Sequence, residues 1–164
     1  MQIELRLTIE PNFPIRSYDP GEDDVRSILM DVCRAIKVKS EFLVAGFGQE
    51  RWPVDVETDL PVFLEQLPYA LRAVQQGTFA EIDFYEQGIE RSIAMKPAGD
   101  KYVLTCTSRT RWNPSPATEE IPSESLERML LAVKDAFMIS LTEMAPSLAR
   151  HPWTCQWLEG LENE

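Results

Sequence analysis

The sequence has few of the residues that small enzymes use for chemistry. It contains one histidine, His151, and three widely separated cysteines among 164 residues. The GxxxxGK, GxGxxG and GxSxG motifs are absent, so neither a phosphate-binding loop nor a serine nucleophile elbow is indicated. Any serine or cysteine nucleophile would have to share a single histidine as its base. We therefore predict no catalytic residue and a protein that is not an enzyme.

Metal ligands are equally scarce. His151 lies four residues before Cys155, and a pair at this spacing could begin a zinc site or a thiol nucleophile. A zinc site needs three or four ligands, and no CxxC or HxxxH pair supplies the others. Pro152 also interrupts a helix between the two residues. We interpret His151 as a surface residue and Cys155 as a buried thiol, and we predict no metal and no cofactor.

Disulfides, targeting signals and membrane spans are not indicated either. The three cysteines, Cys33, Cys106 and Cys155, are odd in number and lie in apolar segments, which is typical of reduced thiols. Residues 1–13 alternate apolar with charged side chains and lack the apolar core of a signal peptide. No run approaches the roughly 18 apolar residues of a membrane span. Together these features predict a cytoplasmic protein.

Positive charge is in short supply. Sixteen Lys and Arg residues stand against 27 Asp and Glu residues, which gives a formal net charge of −11. Such a charge repels phosphate backbones and anionic lipids, so binding to nucleic acid or to a membrane is disfavoured. It would attract a basic protein and accelerate association with it. The charge could also serve solubility alone, because net charge by itself does not define a function.

Three amphipathic helices are indicated by apolar residues at helical spacing. We predict them over residues 22–39, 59–77 and 123–145. Pro68 lies inside the second helix and should kink it or divide it in two. A short C-terminal helix is predicted around residues 153–161, where Trp153 and Trp157 share one face.

The remaining segments favour strands. Residues 1–10 alternate strictly, which indicates a half-buried strand. A more buried strand is predicted over residues 41–47 and a short extended segment over residues 52–56. Three β-favouring runs are joined by glycine-containing turns and predict an antiparallel meander. They are residues 79–86, 89–96 and 101–109, and a proline-rich loop over residues 110–122 follows them.

These elements predict one acidic α+β domain over residues 1–164. Its mainly antiparallel sheet would have five or six strands and end in the three-strand meander. The three amphipathic helices and the short C-terminal helix would cover the sheet, because each has an apolar face to bury.

The candidate functional residues lie in and around the meander. Four carboxylates surround the Gln87-Gly88 turn, and a tryptophan flanked by two arginines follows the last strand, as is typical of an interface anchor. Two alternatives stay open: the tryptophan could fold back onto the sheet edge, and the carboxylates could merely form the solvated face of a strand. The predicted partner-binding residues are Glu81, Asp83, Glu86, Glu90, Arg109, Arg111 and Trp112.

Residues 60–112 resemble a group of small bacterial proteins. These proteins have a helix followed by a meander whose first strands are acidic and carry a motif like FYEQG. The segments that carry the resemblance are DLPVFLEQLPYAL, FAEIDFYEQGIERSIAMKP and GDKYVLTCTSRTRW. Several such families are immunity proteins, which neutralise a cognate toxin delivered between bacteria. The resemblance implies a protein that binds a toxin and occludes its active site, and the acidic surface favours a basic toxin.

Two alternative functions stay open at this point. One is a structural or scaffold subunit of a larger bacterial assembly that docks through the Trp153–Trp157 helix. The other is an enzyme of unknown class that uses scattered carboxylates, with or without a metal.

Overall fold

The structure is a computed structural model that describes residues 1–9 and 13–160. Strands and helices alternate irregularly along the chain, and they carry labels in chain order. The strands are β1 (Gln2–Arg6), β2 (Glu41–Ala45), β3 (Ala80–Phe84), β4 (Arg91–Ala98), β5 (Lys101–Ser108) and β6 (Thr118–Pro122). The helices are α1 (Val25–Ile36), α2 (Asp59–Gln75), α3 (Ser123–Met144), α4 (Pro146–Ala149) and α5 (Pro152–Leu158).

The predicted α+β class with antiparallel strands is confirmed, and the six strands are divided between two sheets. One sheet contains β1 and β2, and the other has the order β3-β4-β5-β6. Ile3 lies opposite Val44 in the first sheet, and Ile93 lies opposite Cys106 in the second. The meander of β3, β4 and β5 is confirmed. Helix α2 packs against β3 while α3 packs against β1, so the helices join the two sheets.

Three phenylalanines connect the sheets through the core. Phe42 on β2 lies 5.4 Å from Phe63 on α2, measured between ring centroids, and Phe63 lies 6.0 Å from Phe84 on β3. All three rings are at most 2% exposed. Aromatic pairs at these distances add about 0.5–1.5 kcal/mol each beyond the area they bury. Residues of both sheets therefore belong to one continuous core.

Helix α2 runs unbroken through Pro68, so the helix is not divided as the sequence allowed. Proline has no N–H to donate to the carbonyl four residues earlier, which here belongs to Leu64. The indole Nε1–H of Trp157 donates to that carbonyl oxygen instead, at 2.9 Å. Gly160 lies against the same turn, since a Cβ there would be 2.8 Å from the Pro68 carbonyl oxygen. Helix α5 thus supplies the hydrogen-bond donor that Pro68 lacks.

Three predicted segments differ from the structure. The expected loop over residues 110–122 ends in strand β6, which pairs antiparallel with β5, with Lys101 opposite Pro122 and Thr105 opposite Thr118. The Glu119 side chain on β6 accepts hydrogen bonds from the Met1 ammonium group and the Phe47 N–H, both distant in sequence. The extended segment over residues 52–56 is wrong. These residues form a loop and turns, and Trp52 turns into the core at 1% exposed. The first strand ends at Arg6, and residue 10 of its predicted span lies outside the described residues.

Helix α5 begins at Pro152 and buries Thr154 and Trp157. Cys155 lies on another face of the helix and is exposed, so the prediction of a buried thiol is wrong. None of the helices formed by the described residues combines the length and apolar character needed to cross a membrane.

Candidate partner-binding surface

Strand register brings most of the predicted site residues to one end of the four-stranded sheet. Phe84 on β3 pairs with Arg91 on β4, and Arg91 pairs with Ser108 on β5. The turn over residues 85–90 and the loop after residue 108 therefore lie side by side. We define the sheet-end surface as Asp83, Glu86, Glu90, Arg109, Arg111 and Trp112. Glu81, the seventh predicted residue, lies further along β3.

The turn between β3 and β4 places two glutamates at this end of the sheet. The backbone N–H groups of Ile89 and Glu90 both donate to the Glu86 carbonyl, at 3.2 Å each. Gly88 has a φ of 101° and Glu90 a φ of 40°, so the chain reverses through left-handed conformations. Ile89 is 2% exposed and anchors the turn in the core, while the glutamates on either side are half-buried.

The sheet-end surface carries three carboxylates and two guanidinium groups, and only one carboxylate is in an ion pair with them. Arg109 neutralises Asp83 through an ion pair of 2.5 Å, and its backbone N–H donates to the Glu90 carbonyl at 2.9 Å. Within the described part of the chain, the side chains of Glu86 and Glu90 form no ion pair. Arg111 is exposed.

One of these glutamates, Glu86, interacts electrostatically with a buried carboxyl group. Asp59, at the start of α2, is 4% exposed and accepts a hydrogen bond from the Asp55 N–H at 2.8 Å. Burial raises the pKa of Asp59 to about 6, and the charges of Asp55 and Glu86 act in the same direction, although the hydrogen bond acts in the opposite one. The negative charge of Glu86 therefore disfavours ionisation of the buried Asp59 carboxyl group.

Trp112 folds back onto the sheet rather than extending into solvent. Its half-buried ring covers the guanidinium of Arg91, with 3.6 Å between Cζ and the ring centroid. Trp52 also lies against the guanidinium, at 4.6 Å. Arg91 is 3% exposed, and Gln49 accepts a hydrogen bond from it at 2.8 Å. Contacts of this kind contribute about 2 kcal/mol or more when desolvated.

Sequence reasoning did not single out Arg91. Burial lowers its pKa, and its Nε has no hydrogen-bond partner among residues 1–9 and 13–160. A signal was present, because Arg91 alternates with Ile89, Ile93 and Met95 on the apolar face of the middle strand. A cation on an inward face needs a partner, and here two indoles take that role in place of a carboxylate.

The free edge of β3 is closed by a side chain from α2. The Gln66 amide accepts from the Asp83 N–H at 2.8 Å and donates to the Asp83 carbonyl at 2.9 Å. Both backbone groups of this edge residue are thereby satisfied. Glu81, two residues earlier, is exposed and lines a separate cleft of about 540 Å³ beside α1, α2 and α5.

The other candidates have structural partners. The Nδ1 of His151 accepts from the Trp153 N–H at 3.3 Å, so this half-buried histidine caps α5. Trp157 is 2% exposed and packs inside the protein. The helix that the scaffold alternative would use for docking therefore cannot present Trp157 to a partner. Across residues 1–9 and 13–160, no three His, Cys, Asp or Glu side chains are grouped as a metal site would require.

Comparison of the chain with protein-family models, with curated proteins and with solved structures gave no match. The geometry and charge of the sheet-end surface and of the cleft beside Glu81 are therefore the grounds for assigning a function.

Proposed function

We propose that this protein is a cytoplasmic inhibitor of the immunity type, which binds a basic protein toxin and occludes its active site. The observation that carries the proposal is the sheet-end surface, where Glu86 and Glu90 have no counter-ion among the described residues and are held by a turn anchored at Ile89. A basic partner would supply the missing positive charge.

Rigidity and long-range charge also support this function. The surface is built on strand ends and on a tryptophan fixed over Arg91, so little ordering would accompany binding. The formal net charge of −11 would attract a basic protein from a distance and raise its association rate. Carboxylates presented to a cationic active site are an effective way to block a nuclease-type toxin, because they compete with the phosphate groups of its substrate.

The test uses the toxin domain expected to be encoded by the neighbouring gene, titrated into this protein by calorimetry at 50 and 300 mM NaCl. We expect tight binding that weakens at least about tenfold at the higher salt concentration, since interactions between opposite charges are screened. The combined reversal Glu86→Lys and Glu90→Lys should weaken binding by a further tenfold or more, or about 1.4 kcal/mol.

Glu143→Lys is the matched control, because Glu143 is an exposed carboxylate on α3 outside this surface. It should change the affinity by less than about twofold. A neighbouring gene that encodes no basic toxin domain, or a toxin domain that binds the doubly reversed variant as well as the original protein, would contradict the proposal.

A further inference from the structure

The cleft beside Glu81 is large enough to receive part of a partner protein. It lies between the N-terminus of α1, the middle of α2, helix α5 and strand β3, and its volume is about 540 Å³. Ligand pockets in proteins commonly measure about 300–1,000 Å³. Glu81 and Asp83 are two residues apart on the same face of β3, a separation of roughly 7 Å. A partner that covers the sheet-end surface could therefore also reach this cleft.

One wall of the cleft is a fixed aromatic ring. Trp153 on α5 packs against His151, with 4.7 Å between ring centroids, and against Tyr18 at 6.3 Å. Trp157, one helical turn further on, is almost completely buried beside it and is held by its hydrogen bond to Leu64. Both indoles line the cleft. An aromatic face that is already held in place can take a flat cationic group with little loss of entropy.

The cleft also has an excess of negative charge. Its lining contains three carboxylates, Asp24, Glu65 and Glu81, and a single guanidinium, that of Arg26. Arg26 is already engaged, because it forms an ion pair of 2.6 Å with Glu65 and donates to the Tyr85 hydroxyl at 2.8 Å.

The N-terminus of α1, where the helix dipole is positive, is already capped by a carboxylate. The Asp24 side chain accepts from the Arg26 backbone N–H at 2.8 Å and caps the helix. An anion would therefore meet carboxylates rather than open N–H groups. Glu81 is exposed and forms no ion pair with any of the described residues. The cleft thus combines an aromatic wall with an uncompensated carboxylate.

We propose that this cleft binds an arginine side chain of the partner protein. Its guanidinium would lie against Trp153 and form an ion pair with Glu81. Arginine suits the site better than lysine because its planar group stacks on an aromatic ring and meets a carboxylate through two parallel hydrogen bonds. This inference depends on the proposed function for the source of the arginine, whereas its test does not require the partner.

The test titrates the full-length protein with N-acetyl-arginine methylamide and follows the indole N–H signals by NMR. The neutral isostere N-acetyl-citrulline methylamide serves as the comparison, and Trp153→Phe assigns the Trp153 signal. We expect the arginine compound to shift this signal with a millimolar dissociation constant, as is usual for a single small group. The citrulline compound should bind at least about threefold more weakly because it lacks the charge.

Glu81→Gln should weaken binding of the arginine compound by about three- to fivefold, whereas Glu143→Gln on α3 should leave it unchanged. Equal binding of the arginine and citrulline compounds, equal binding by the Glu81→Gln variant, or no shift of the Trp153 signal would overturn this assignment. The toxin titration relies on Glu86 and Glu90 instead, so a failure of the arginine site and a failure of the proposed function give different experimental results.

Discussion

At the scale of single residues, Asp59 is a carboxyl group whose ionisation opposes folding. Its pKa is raised from 3.8 to about 6 chiefly by burial, so the folded state holds the proton more tightly than the unfolded state. The stabilising contribution of the protonated group is complete below about pH 4, is lost as the pH rises through 6, and is absent at pH 7.

We expect Asp59→Asn to stabilise the protein at pH 7 by about 1–3 kcal/mol, because the variant buries no charge there. The asparagine oxygen can still accept the hydrogen bond from the Asp55 N–H. Urea unfolding at pH 4 and pH 7 checks the expectation. The free energies of unfolding of the two proteins should be similar at pH 4, and that of the variant should be higher at pH 7. A variant that is less stable than the original protein at pH 7 would show that the ionised carboxylate is needed by its neighbours.

At the scale of elements, the contact between α5 and α2 compensates for a proline inside a helix. The Leu64 carbonyl receives the Trp157 indole N–H at 2.9 Å where residue 68 cannot donate. We expect Trp157→Phe to cost about 1–3 kcal/mol, because it leaves that buried carbonyl unsatisfied. In a Pro68→Ala background the same substitution should cost about 1 kcal/mol less, since alanine has the backbone N–H that proline lacks and can donate it to Leu64.

A double-mutant cycle measured by urea unfolding tests this coupling. The four proteins are the original, the two single variants and the double variant. Trp157→Phe changes the packing equally in both backgrounds, so this change cancels in the coupling free energy. Equal costs of Trp157→Phe in the two backgrounds would mean that the indole contributes packing alone.

The same contact shows how far the sequence predicts the fold. Local patterns were sufficient for α1, α2, α3 and the meander, because period and turn residues determine those elements over short distances. Strand β6 is not visible in the local pattern, because the prolines of residues 110–122 favour a loop, whereas its pairing with β5 and the hydrogen bonds of Glu119 to Met1 and Phe47 exist only in the fold. The unbroken course of α2 through Pro68 likewise depends on Trp157, 93 residues from its acceptor.

The candidate surface divides in a similar way. The carboxylates around the Gln87-Gly88 turn were found from the sequence, because a turn between two paired strands brings its flanks together. The packing of Arg91 against Trp52 and Trp112 was not found, since it joins a loop, a strand and a second loop. The cleft beside Glu81 was also missed because it exists only where α1, α2, α5 and β3 pack together.

At the scale of the whole molecule, the excess of negative charge acts on stability. Many of the cations are already in ion pairs. Arg16 contacts both Asp23 and Asp31, Lys37 contacts Glu57, and Lys101 contacts Glu120. The remaining carboxylates repel one another more strongly in the folded state than in the unfolded chain, because folding brings them closer together.

Screening should therefore stabilise this protein, although it weakens the individual surface pairs. Each exposed ion pair contributes little to the free energy of unfolding. The repulsion acts over longer distances, and salt reduces its screening length from about 30 Å at 10 mM to about 8 Å at 150 mM. We expect Tm to rise by about 2–4 °C between 10 and 150 mM NaCl, which corresponds to roughly 1 kcal/mol for a chain of this size. Calorimetric scans at pH 7 measure the change.

A variant with Glu86→Lys, Glu90→Lys and Glu143→Lys provides the comparison. Each reversal changes the charge by two, so the formal net charge of −11 becomes −5. Its Tm should rise less with salt than that of the original protein, because less repulsion remains to be screened. If Tm instead fell with added salt in both proteins, the ion pairs would outweigh the long-range repulsion. The excess charge would then act on partner binding without a comparable cost in stability.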